Sequence, residues 1–359
     1  MPAAANYLLP TANEKASTVR RPPSTVHRQV SLLPFNTFGL PAEAEHFTEI
    51  FSEKDLRAAL RTGIRPVFVL GGGSNILLTQ NVGGLVVRNC IRGVEVVRRF
   101  KNRAWVRVGG GEVWHDFVLW AVAQGLGGVE NMSLIPGTAG AAPVQNIGAY
   151  GAELKDVFVS LDAVELETGK KRRFTAADCQ FGYRDSFFKR EGRGRFCITS
   201  VTFSLTMADH KINTAYGDIQ KTLAEMGVSE PSIADVSTAV VRIRSSKLPD
   251  PAKIGNCGSF FKNPEISRAA LDKVLAINEK APHFPLANGQ VKVPAGWLIE
   301  QCGWKGRRLG NAGCYEKQAL VLVNLGGATG AEVKNLASNI IADVEAKFGV
   351  RLEAEVNIF

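Results

Sequence analysis

Residues 66–75 read PVFVLGGGSN, an apolar run that ends in three glycines, a serine and an asparagine. A short apolar run of this kind is typical of a buried β-strand. Consecutive glycines let the backbone approach a phosphate, and successive N–H groups form a nest that binds anions. The spacing differs from the Rossmann fingerprint, and no helix obviously opens after it. The stretch therefore predicts a phosphate-binding loop, with a plain tight turn as the alternative.

A second glycine-rich stretch, IPGTAGAAPVQNIGAYG, occupies residues 135–151. It has no hydrophobic periodicity and contains too much glycine for a helix. A long ordered loop inside a globular domain is usually functional. Backbone contacts from this loop would suit a cofactor that carries a diphosphate, and a structural crossover loop remains the alternative.

The 359 residues are too many for one ordinary domain, and the sequence pattern changes along the chain. A helix capped at Ser52 and the strand at 66–70 indicate a small α/β unit. Short β-rich runs separated by turns follow from about residue 94 to 206. A helix is predicted around Ser237–Arg244, before a proline-containing linker. The predicted organisation is a disordered extension (1–30), a first unit (31–92), a second unit (93–245) and a C-terminal unit (246–359).

Composition narrows the possible functions. The six cysteines and five histidines are scattered, which predicts reduced thiols and no metal site. No apolar run approaches the roughly 18 residues that span a membrane, so we expect a cytoplasmic protein without membrane contact. The net charge of +9 suits small polyanions as well as nucleic acid. Because the basic clusters lack interleaved aromatic residues, we expect no nucleic-acid partner. The sequence leaves the oligomeric state open, and we favour a monomer.

Three further stretches carry side chains that are suited to catalysis. Arg184, in FGYRDS, can fork onto a carboxylate or phosphate, or can pair with a surface carboxylate. Ser259 lies beside two phenylalanines that would exclude water, so its hydroxyl is a candidate acid or nucleophile in a dry pocket; a hairpin corner is the alternative. Glu355 falls on the polar face of a predicted strand at 350–358, where a solvated carboxylate is the ordinary interpretation. A serine hydrolase is disfavoured, because neither a His–Asp partner set nor a GxSxG elbow is present.

Taken together, these stretches resemble the family of UDP-N-acetylenolpyruvoylglucosamine reductases, also called UDP-N-acetylmuramate dehydrogenases. The resemblance covers nearly everything from residue 35 to 359, with the motifs in the family's order. The matching stretches are Asn36–Gly39, Gly71–Asn75, Ile135–Gly137, Gln145–Gly151, Phe181–Ser186, Gly258–Pro264, Ala295–Ile299 and Leu352–Val356.

The resemblance implies an α+β fold. Its first two units would form the two-subdomain FAD-binding module of the vanillyl-alcohol-oxidase type, and the C-terminal α+β unit would bind substrate. It also implies the cofactors FAD and NADPH. NADPH would reduce FAD, and the reduced flavin would pass hydride to the enolpyruvyl group of a UDP sugar. The product would be UDP-N-acetylmuramate, a precursor of peptidoglycan.

Residue roles follow from the same resemblance. Arg184 matches the arginine that steadies the substrate carboxylate and the developing enolate, Ser259 the serine that protonates the intermediate, and Glu355 the carboxylic acid paired with that step. Tyr216 matches the substrate-binding tyrosine of a subtype with an extra mobile loop. The residues expected at FAD are Gly71, Gly72, Gly73, Ser74, Asn75, Ile135, Pro136, Gly137, Ala141, Gln145, Asn146, Ile147 and Gly148. Those expected at the sugar nucleotide are Tyr150, Tyr216, Lys247, Asn263, Lys305 and Gln318.

Two features depart from the family's pattern. Ala141 and Ala142 stand where hydroxyl or glycine residues are common, which leaves the contact to backbone donors. The basic extension before Ser31 has no counterpart. Two other hypotheses stay open on the sequence alone: a different flavin oxidase or dehydrogenase on the same module, and a non-catalytic nucleotide- or nucleic-acid-binding protein.

Overall fold

Three sheets of four or five strands organise residues 25–359, the part of the chain that the computed structural model describes. Each sheet corresponds to one stretch of the sequence, and helices share a hydrophobic core with each of them. Shorter two- and three-stranded sheets complete the fold. No helix in this range is long and apolar enough to cross a membrane.

The first unit is a mixed four-stranded sheet in the order β1-β2-β5-β3, in which the β2, β5 and β3 strands are parallel. The helix after Ser52 begins as predicted, because the Ser52 side chain accepts the Asp55 N–H at 3.2 Å. The elements are β1 (His27–Ser31), β2 (Glu43–Ile50), α1 (Glu53–Leu60), β3 (Val67–Leu70), β4 (Ile76–Leu77) and β5 (Val82–Asn89).

The prediction of a disordered extension over 1–30 is wrong for its last residues. His27–Ser31 forms β1 and pairs antiparallel with β2, from His27 opposite Phe47 to Ser31 opposite Glu43. Its side chains are mostly exposed, so hydropathy gave no signal, whereas the backbone bonds to β2 order the strand. Residues 1–24 lie outside the described residues.

The second unit is an antiparallel five-stranded sheet in the order β11-β10-β12-β7-β6. Its helix α2 buries Trp114 and Phe117, whose rings lie 5.7 and 5.2 Å from that of Phe203 on β12. The predicted hairpin turn at Thr168–Gly169 is present between β10 and β11. The elements are β6 (Val94–Phe100), β7 (Arg103–Gly109), α2 (Trp114–Ala123), β8 (Gly148–Ala149), β9 (Ala152–Glu153), β10 (Phe158–Glu165), β11 (Lys171–Thr175), α3 (Ala176–Cys179) and β12 (Phe196–Thr206).

Two helices, α4 (Ile219–Glu225) and α5 (Ile233–Lys247), join the second sheet to the C-terminal unit. The α5 helix is longer than the predicted Ser237–Arg244 and runs across the expected boundary after residue 245. Its start is fixed by a capping box between Ser232 and Asp235. The α4 helix was not predicted, because only Ile219 and Leu223 of it are buried against α5.

The C-terminal unit has an antiparallel sheet in the order β13-β19-β18-β17, flanked by helices, and a small sheet β14-β16-β15. Its long helix α8 ends at Gly349, whose φ is +66°, as the sequence predicted. The elements are β13 (Gly255–Ser259), β14 (Glu265–Ile266), α6 (Arg268–Ile277), β15 (Phe284–Pro285), β16 (Val291–Lys292), α7 (Ala295–Gln301), β17 (Arg308–Leu309), β18 (Ala312–Cys314), β19 (Val321–Asn324), α8 (Gly330–Phe348) and β20 (Asn357–Ile358).

The predicted continuous strand over 350–358 is wrong. The tail makes one bridge, between Ala354 and Phe261, and then forms β20, which pairs in parallel with β4 of the first unit. The apolar side chains that alternate here all pack with the core of the C-terminal unit, so the alternation reflects one buried face without continuous strand pairing. This crossing carries Glu355 from one unit towards another.

The units also share cores. Val164, Leu166 and Cys197 of the second sheet pack with the first unit's core, which includes Leu56. Phe38, beside the first sheet, packs into the core of the C-terminal unit. These shared cores fix the walls of the space between the units.

Candidate active site

Both glycine-rich loops open onto one cavity of about 570 Å³ between the first and second units. A cavity of this size suits a small molecule or cofactor. Ten of the thirteen residues expected at FAD line it: Gly71, Gly72, Gly73, Ser74, Asn75, Pro136, Gly137, Ala141, Gln145 and Ile147.

The two loops approach each other so closely that side chains would not fit between them. A Cβ atom on Gly72 would lie 3.0 Å from the Gly137 Cα, and one on Gly137 would lie 2.9 Å from the Ser74 Oγ. Gly137 also has a φ of +106°, which residues with a side chain rarely adopt. The glycines therefore keep a narrow passage of bare backbone along the cavity.

Backbone donors in this passage are free to bind an anion. Within residues 25–359, the N–H groups of Gly72, Gly73 and Ser74 and of Gly137 and Thr138 have no hydrogen-bond partner. Apart from Gly72, which is exposed, these residues are half-buried or buried, and backbone amides in such places are rarely left unpaired. A diphosphate placed between the loops would accept from them, so the residues present fit the cofactor that this chain's sequence implies.

Ala141 and Ala142 do not contribute such donors, contrary to what we expected of them. Their N–H groups donate to the Thr138 carbonyl at 3.0 and 3.1 Å. The turn that these two bonds close leaves the free donors one residue further back, at Gly137 and Thr138. The two alanines therefore form part of the turn and leave the free N–H groups of Gly137 and Thr138 available.

Ile135, Asn146 and Gly148 do not line the cavity as the structure describes it. Ile135 packs against the core of the second unit. Asn146 and Gly148 instead hold Arg184, since their carbonyl oxygens accept from its Nη1 at 3.2 Å and from its Nη2 at 2.5 Å. These two residues position a catalytic candidate.

Glu355 lies beside Arg184 at the meeting point of all three units. The Arg184 Nε is 3.7 Å from the Glu355 Oε1, and both side chains are mostly buried. The Gln145 Nε2 donates to the same oxygen at 3.3 Å, and the Gln145 Oε1 accepts from the Asn75 Nδ2 at 2.6 Å. A continuous polar network thus joins both glycine-rich loops to the C-terminal tail.

The environment of Glu355 favours its protonated form. Burial raises the pKa of this carboxyl above its ordinary value, and the charges of Arg184, Lys189 and Lys262 oppose the rise without cancelling it. A carboxyl that keeps its proton to higher pH can donate or relay that proton. Glu355 is therefore not the solvated strand carboxylate that its position in the sequence suggested.

Ser259 lies on the strand that the Glu355 segment crosses. The Glu355 N–H donates to the carbonyl of Phe260 at 2.8 Å, one residue after Ser259. The expectation of a dry hydroxyl is wrong for this state: Ser259 is exposed, and Phe260 and Phe261 are buried in the core of the C-terminal unit. Ser259 ends β13 with an exposed side chain while its neighbour Phe260 is fully buried, so the ring does not cover the hydroxyl.

The six residues expected at the sugar nucleotide form two groups. Tyr150 and Tyr216 meet edge to face at 6.4 Å, and Lys247 pairs with Asp218 beside them. Asn263 and Gln318 lie at the start of α7: the Asn263 Oδ1 accepts the Ala295 N–H, and Gln318 abuts Gly296. Lys305 follows the same helix and pairs with Glu300.

Three functional candidates escaped the sequence analysis. Tyr183 interacts with Asn263, Tyr216 and Glu355, and so links both groups to the catalytic candidates. Arg244 has a buried Nε without a partner among the described residues, and burial lowers its pKa. Lys189 lines the cavity. Tyr183 and Lys189 lie in or beside a quoted motif, but nothing in hydropathy or spacing separates them from surface residues.

The fold and the cavity define an FAD-binding flavoprotein. The family model for the FAD binding domain matches residues 47–175, which include both glycine-rich loops. The model for the C-terminal domain of UDP-N-acetylenolpyruvoylglucosamine reductase matches residues 250–359. Among the described residues, no group of three or more His, Cys, Asp or Glu side chains could hold a metal ion.

Full-length relatives identify the family. The UDP-N-acetylenolpyruvoylglucosamine reductase of Azoarcus sp. is 52% identical over 341 residues, 93% of this chain and 98% of that one. The enzyme of Flavobacterium johnsoniae is 48% identical over 334 residues, 93% of this chain and 99% of that one. The chain belongs to the UDP-N-acetylenolpyruvoylglucosamine reductase family, and the expected family and fold class are confirmed.

A solved structure supports the same fold. The UDP-N-acetylenolpyruvylglucosamine reductase of Thermus caldophilus superimposes with a TM-score of 0.65 at 24% identity, over 94% of this chain and 99% of that one. At 24% identity this similarity supports the fold and does not assign a role to any residue.

Proposed function

We propose that this chain reduces UDP-N-acetylenolpyruvoylglucosamine to UDP-N-acetylmuramate with NADPH and FAD, as a step in peptidoglycan synthesis. Family membership supports the reaction. The observation that carries it is the contact of Arg184 with Glu355 at the end of a network that starts in the FAD-binding loops. Bound FAD, once reduced by NADPH, supplies the hydride.

Arg184 binds the substrate carboxylate and the negative charge that develops next to it. Hydride addition to an enol ether beside a carboxylate moves electron density towards that carboxylate. Two carbonyls hold the guanidinium in place before substrate arrives, so no reorganisation is required during the reaction. Losing such a contact typically costs roughly 3–4 kcal/mol of transition-state stabilisation.

Ser259 donates the proton that completes the product, and Glu355 holds the proton that replaces it. Serine is a weak acid in water, so the hydroxyl must be covered when it acts. Because Ser259 is exposed in the structure, we propose that the bound sugar nucleotide itself covers the hydroxyl. Burial raises the pKa of Glu355, which supports a carboxyl that keeps its proton to higher pH than an exposed one.

We also propose separate roles for the three units. Residues 31–92 and 93–245 would hold FAD, and 246–359 would bind the sugar nucleotide. Tyr216 would belong to the tyrosine-loop subtype; its 59% exposure and its contact with Tyr150 support a side chain that closes on substrate. The six free thiols support an enzyme of the reducing cytoplasm. We further propose that it acts as a monomer on small molecules.

Anaerobic half-reactions test the proposal on the purified holoenzyme. Mixing it with NADPH should bleach the flavin absorbance, and adding the enolpyruvyl sugar nucleotide should restore it in proportion to the product formed. Flavin that NADPH reduces but the sugar nucleotide does not reoxidise would favour another dehydrogenase on the same module. Absence of bound flavin would contradict the proposal entirely.

A further inference from the structure

Lys189 ends a short 3₁₀ helix, Phe187–Lys189, in the wall of the cavity. The Ser186 Oγ fixes this helix by donating to the Val144 carbonyl at 2.7 Å and accepting the Phe188 N–H at 3.1 Å. Phe188 is buried in the core of the second unit. The backbone of Lys189 is therefore anchored on both sides, and its side chain is held at the cavity.

The ammonium of Lys189 has a neutral partner and no carboxylate partner. Its Nζ donates to the main-chain carbonyl of Glu355 at 3.3 Å. Within residues 25–359, no acidic oxygen lies within 4.0 Å of it; the carboxylates of Glu355 and Asp185 pair with Arg184 and Arg190 instead. A half-buried ammonium without a counter-charge is unfavourable until an anion arrives.

The pKa of Lys189 is consistent with an ammonium that lacks a counter-charge. Burial lowers the pKa of Lys189 below its ordinary value, and the nearby positive charge of Lys262 lowers it further. Glu355 and Asp185 oppose this shift but do not outweigh it. The cavity therefore holds a cation that an added negative charge would stabilise.

On the basis of the proposed function, we propose that Lys189 is a flavin-binding residue whose positive charge stabilises the anionic, two-electron-reduced flavin relative to the oxidised flavin. The reduced ring, deprotonated, carries one more negative charge than the oxidised ring. A charge in the wall of a flavin site is one of the few means by which a protein tunes the cofactor. The ammonium lies beside Glu355, one of the residues that the proposed function assigns to the reaction of the flavin with the substrate.

Lys189→Met tests the inference, with Lys262→Met as the matched control. The control substitution also removes one positive charge from the neighbourhood of Glu355. Unlike Lys189, however, Lys262 pairs with Glu353 and does not line the cavity. The midpoint potential of the bound flavin is measured by photoreduction against a reference dye. The affinity of the apoprotein for oxidised FAD is measured by quenching of flavin fluorescence.

We expect Lys189→Met to weaken the binding of reduced flavin relative to oxidised flavin about tenfold, which for a two-electron couple lowers the potential by about 30 mV. Lys189→Arg should restore most of the wild-type potential, and Lys262→Met should leave it unchanged. An unchanged potential in Lys189→Met, or an equal shift in Lys262→Met, would overturn the inference. Lys189→Gln serves as the second uncharged variant if the methionine variant does not fold.

These measurements need neither NADPH nor the sugar nucleotide. If the flavin potential responds to Lys189 as expected but the sugar nucleotide does not reoxidise the flavin, the proposed function fails and the inference stands. If the wild-type enzyme turns over but Lys189→Met leaves the flavin midpoint potential unchanged, the inference fails and the proposed function stands.

Discussion

Arg184 combines a strained backbone with a fixed side chain. Its φ of +99° lies in a region that residues with a Cβ rarely adopt. The strained conformation is held by short local bonds, including one from the Arg184 N–H to the Gly182 carbonyl at 2.7 Å. Strain of this kind is retained mostly where a side chain must point in one direction. In this chain it directs the guanidinium at Glu355.

Arg184→Lys should therefore be a severe substitution. A lysine cannot reach both carbonyls and the substrate carboxylate with one ammonium. We expect reoxidation of the reduced flavin by the sugar nucleotide to slow by about 10²–10³-fold, while reduction by NADPH is nearly unchanged. Stopped-flow absorbance measures both. Arg190→Lys, a substitution in the same segment at an exposed ion pair, is the control; equal losses in both variants would argue against the role of Arg184.

Ser259→Ala separates proton donation from flavin chemistry. Because Ser259 is exposed and makes no side-chain hydrogen bond within the described residues, its removal should leave the fold intact. Flavin reduction by NADPH should persist, and formation of UDP-N-acetylmuramate should fall by about 10²–10⁴-fold, the usual contribution of a general acid. Ser338→Ala, at another exposed hydroxyl, should affect neither step. Equal loss of both half-reactions in Ser259→Ala would contradict the assignment.

At the scale of elements, the contact between the two glycine-rich loops should determine whether the proposed FAD site accepts the cofactor. Gly137→Ala would place a Cβ 2.9 Å from the Ser74 Oγ and would strain a φ of +106°. We expect FAD affinity to fall by about tenfold or more, since the added atom occupies the passage for the diphosphate. Gly63→Ala is the matched control, because Gly63 also has positive φ but a Cβ there meets nothing within 4 Å. Fluorescence titration of the two apoproteins should show a loss only in Gly137→Ala.

A charge cluster joins α1 to the β10–β11 hairpin and should govern acid stability. The Asp162 side chain, 8% exposed, contacts Arg173 at 2.9 Å and Lys171 at 3.4 Å, and Lys171 also pairs with Glu53. Burial raises the pKa of Asp162, but Arg173 and Lys171 outweigh it and hold the pKa below the ordinary 3.8. The same balance, with Lys171, lowers the pKa of Glu53 below 4.5. These carboxylates therefore stabilise the fold fully above their ordinary pKa values, and the contribution disappears as pH falls through their lower folded values.

Asp162→Asn tests this linkage. At pH 7 the free energy of unfolding should fall by about 1–2 kcal/mol, discounted because Arg173 is largely exposed. The variant and wild type should start to converge as pH falls below the ordinary 3.8, and should converge fully once pH passes the lower folded pKa, because the wild-type carboxylate is protonated only there. Urea unfolding at pH 7, 5, 4 and 3 measures the difference. A constant difference across this range would mean that the ion pairs are not its source.

At the scale of the whole molecule, the sequence predicts those elements that depend only on residues close together in the chain. Capped helices such as α1 and α8, the 168–169 hairpin and the glycine-rich loops could all be predicted, because each depends on residues within one short window. The β1 strand could not, since its order comes from a partner strand and not from its own side chains. The alternating pattern alone puts Glu355 on a solvated face, because its burial depends on Arg184 and Gln145, more than 150 residues away in the chain. Only the family resemblance indicated its catalytic role. Lys189 had no signal at all for the same reason.

The last strand shows how the molecule holds its site together. Phe359 bonds through its backbone to Leu77 and Thr79, while its ring meets Phe68 edge to face at 4.5 Å and lines the cavity. The tail that carries Glu355 is thus fixed to the first unit at the wall of the cavity proposed to hold FAD. Packing at this one ring should affect both stability and cofactor binding.

Phe359→Ala keeps the backbone bonds and removes the ring. Because the ring is half-buried, we expect the free energy of unfolding to fall by about 1–3 kcal/mol, less than the roughly 3–5 kcal/mol of a fully buried phenylalanine. FAD affinity should also fall, since the cavity loses part of its apolar wall. Phe284→Ala, at a ring that is 57% exposed in the C-terminal unit, provides the control and should change neither quantity appreciably. Denaturant unfolding of the apoprotein and flavin titration measure the two effects separately. Because the backbone pairing survives in Phe359→Ala, a loss of stability with unchanged FAD affinity would mean that the tail fastens the units together without forming the wall of the cofactor site.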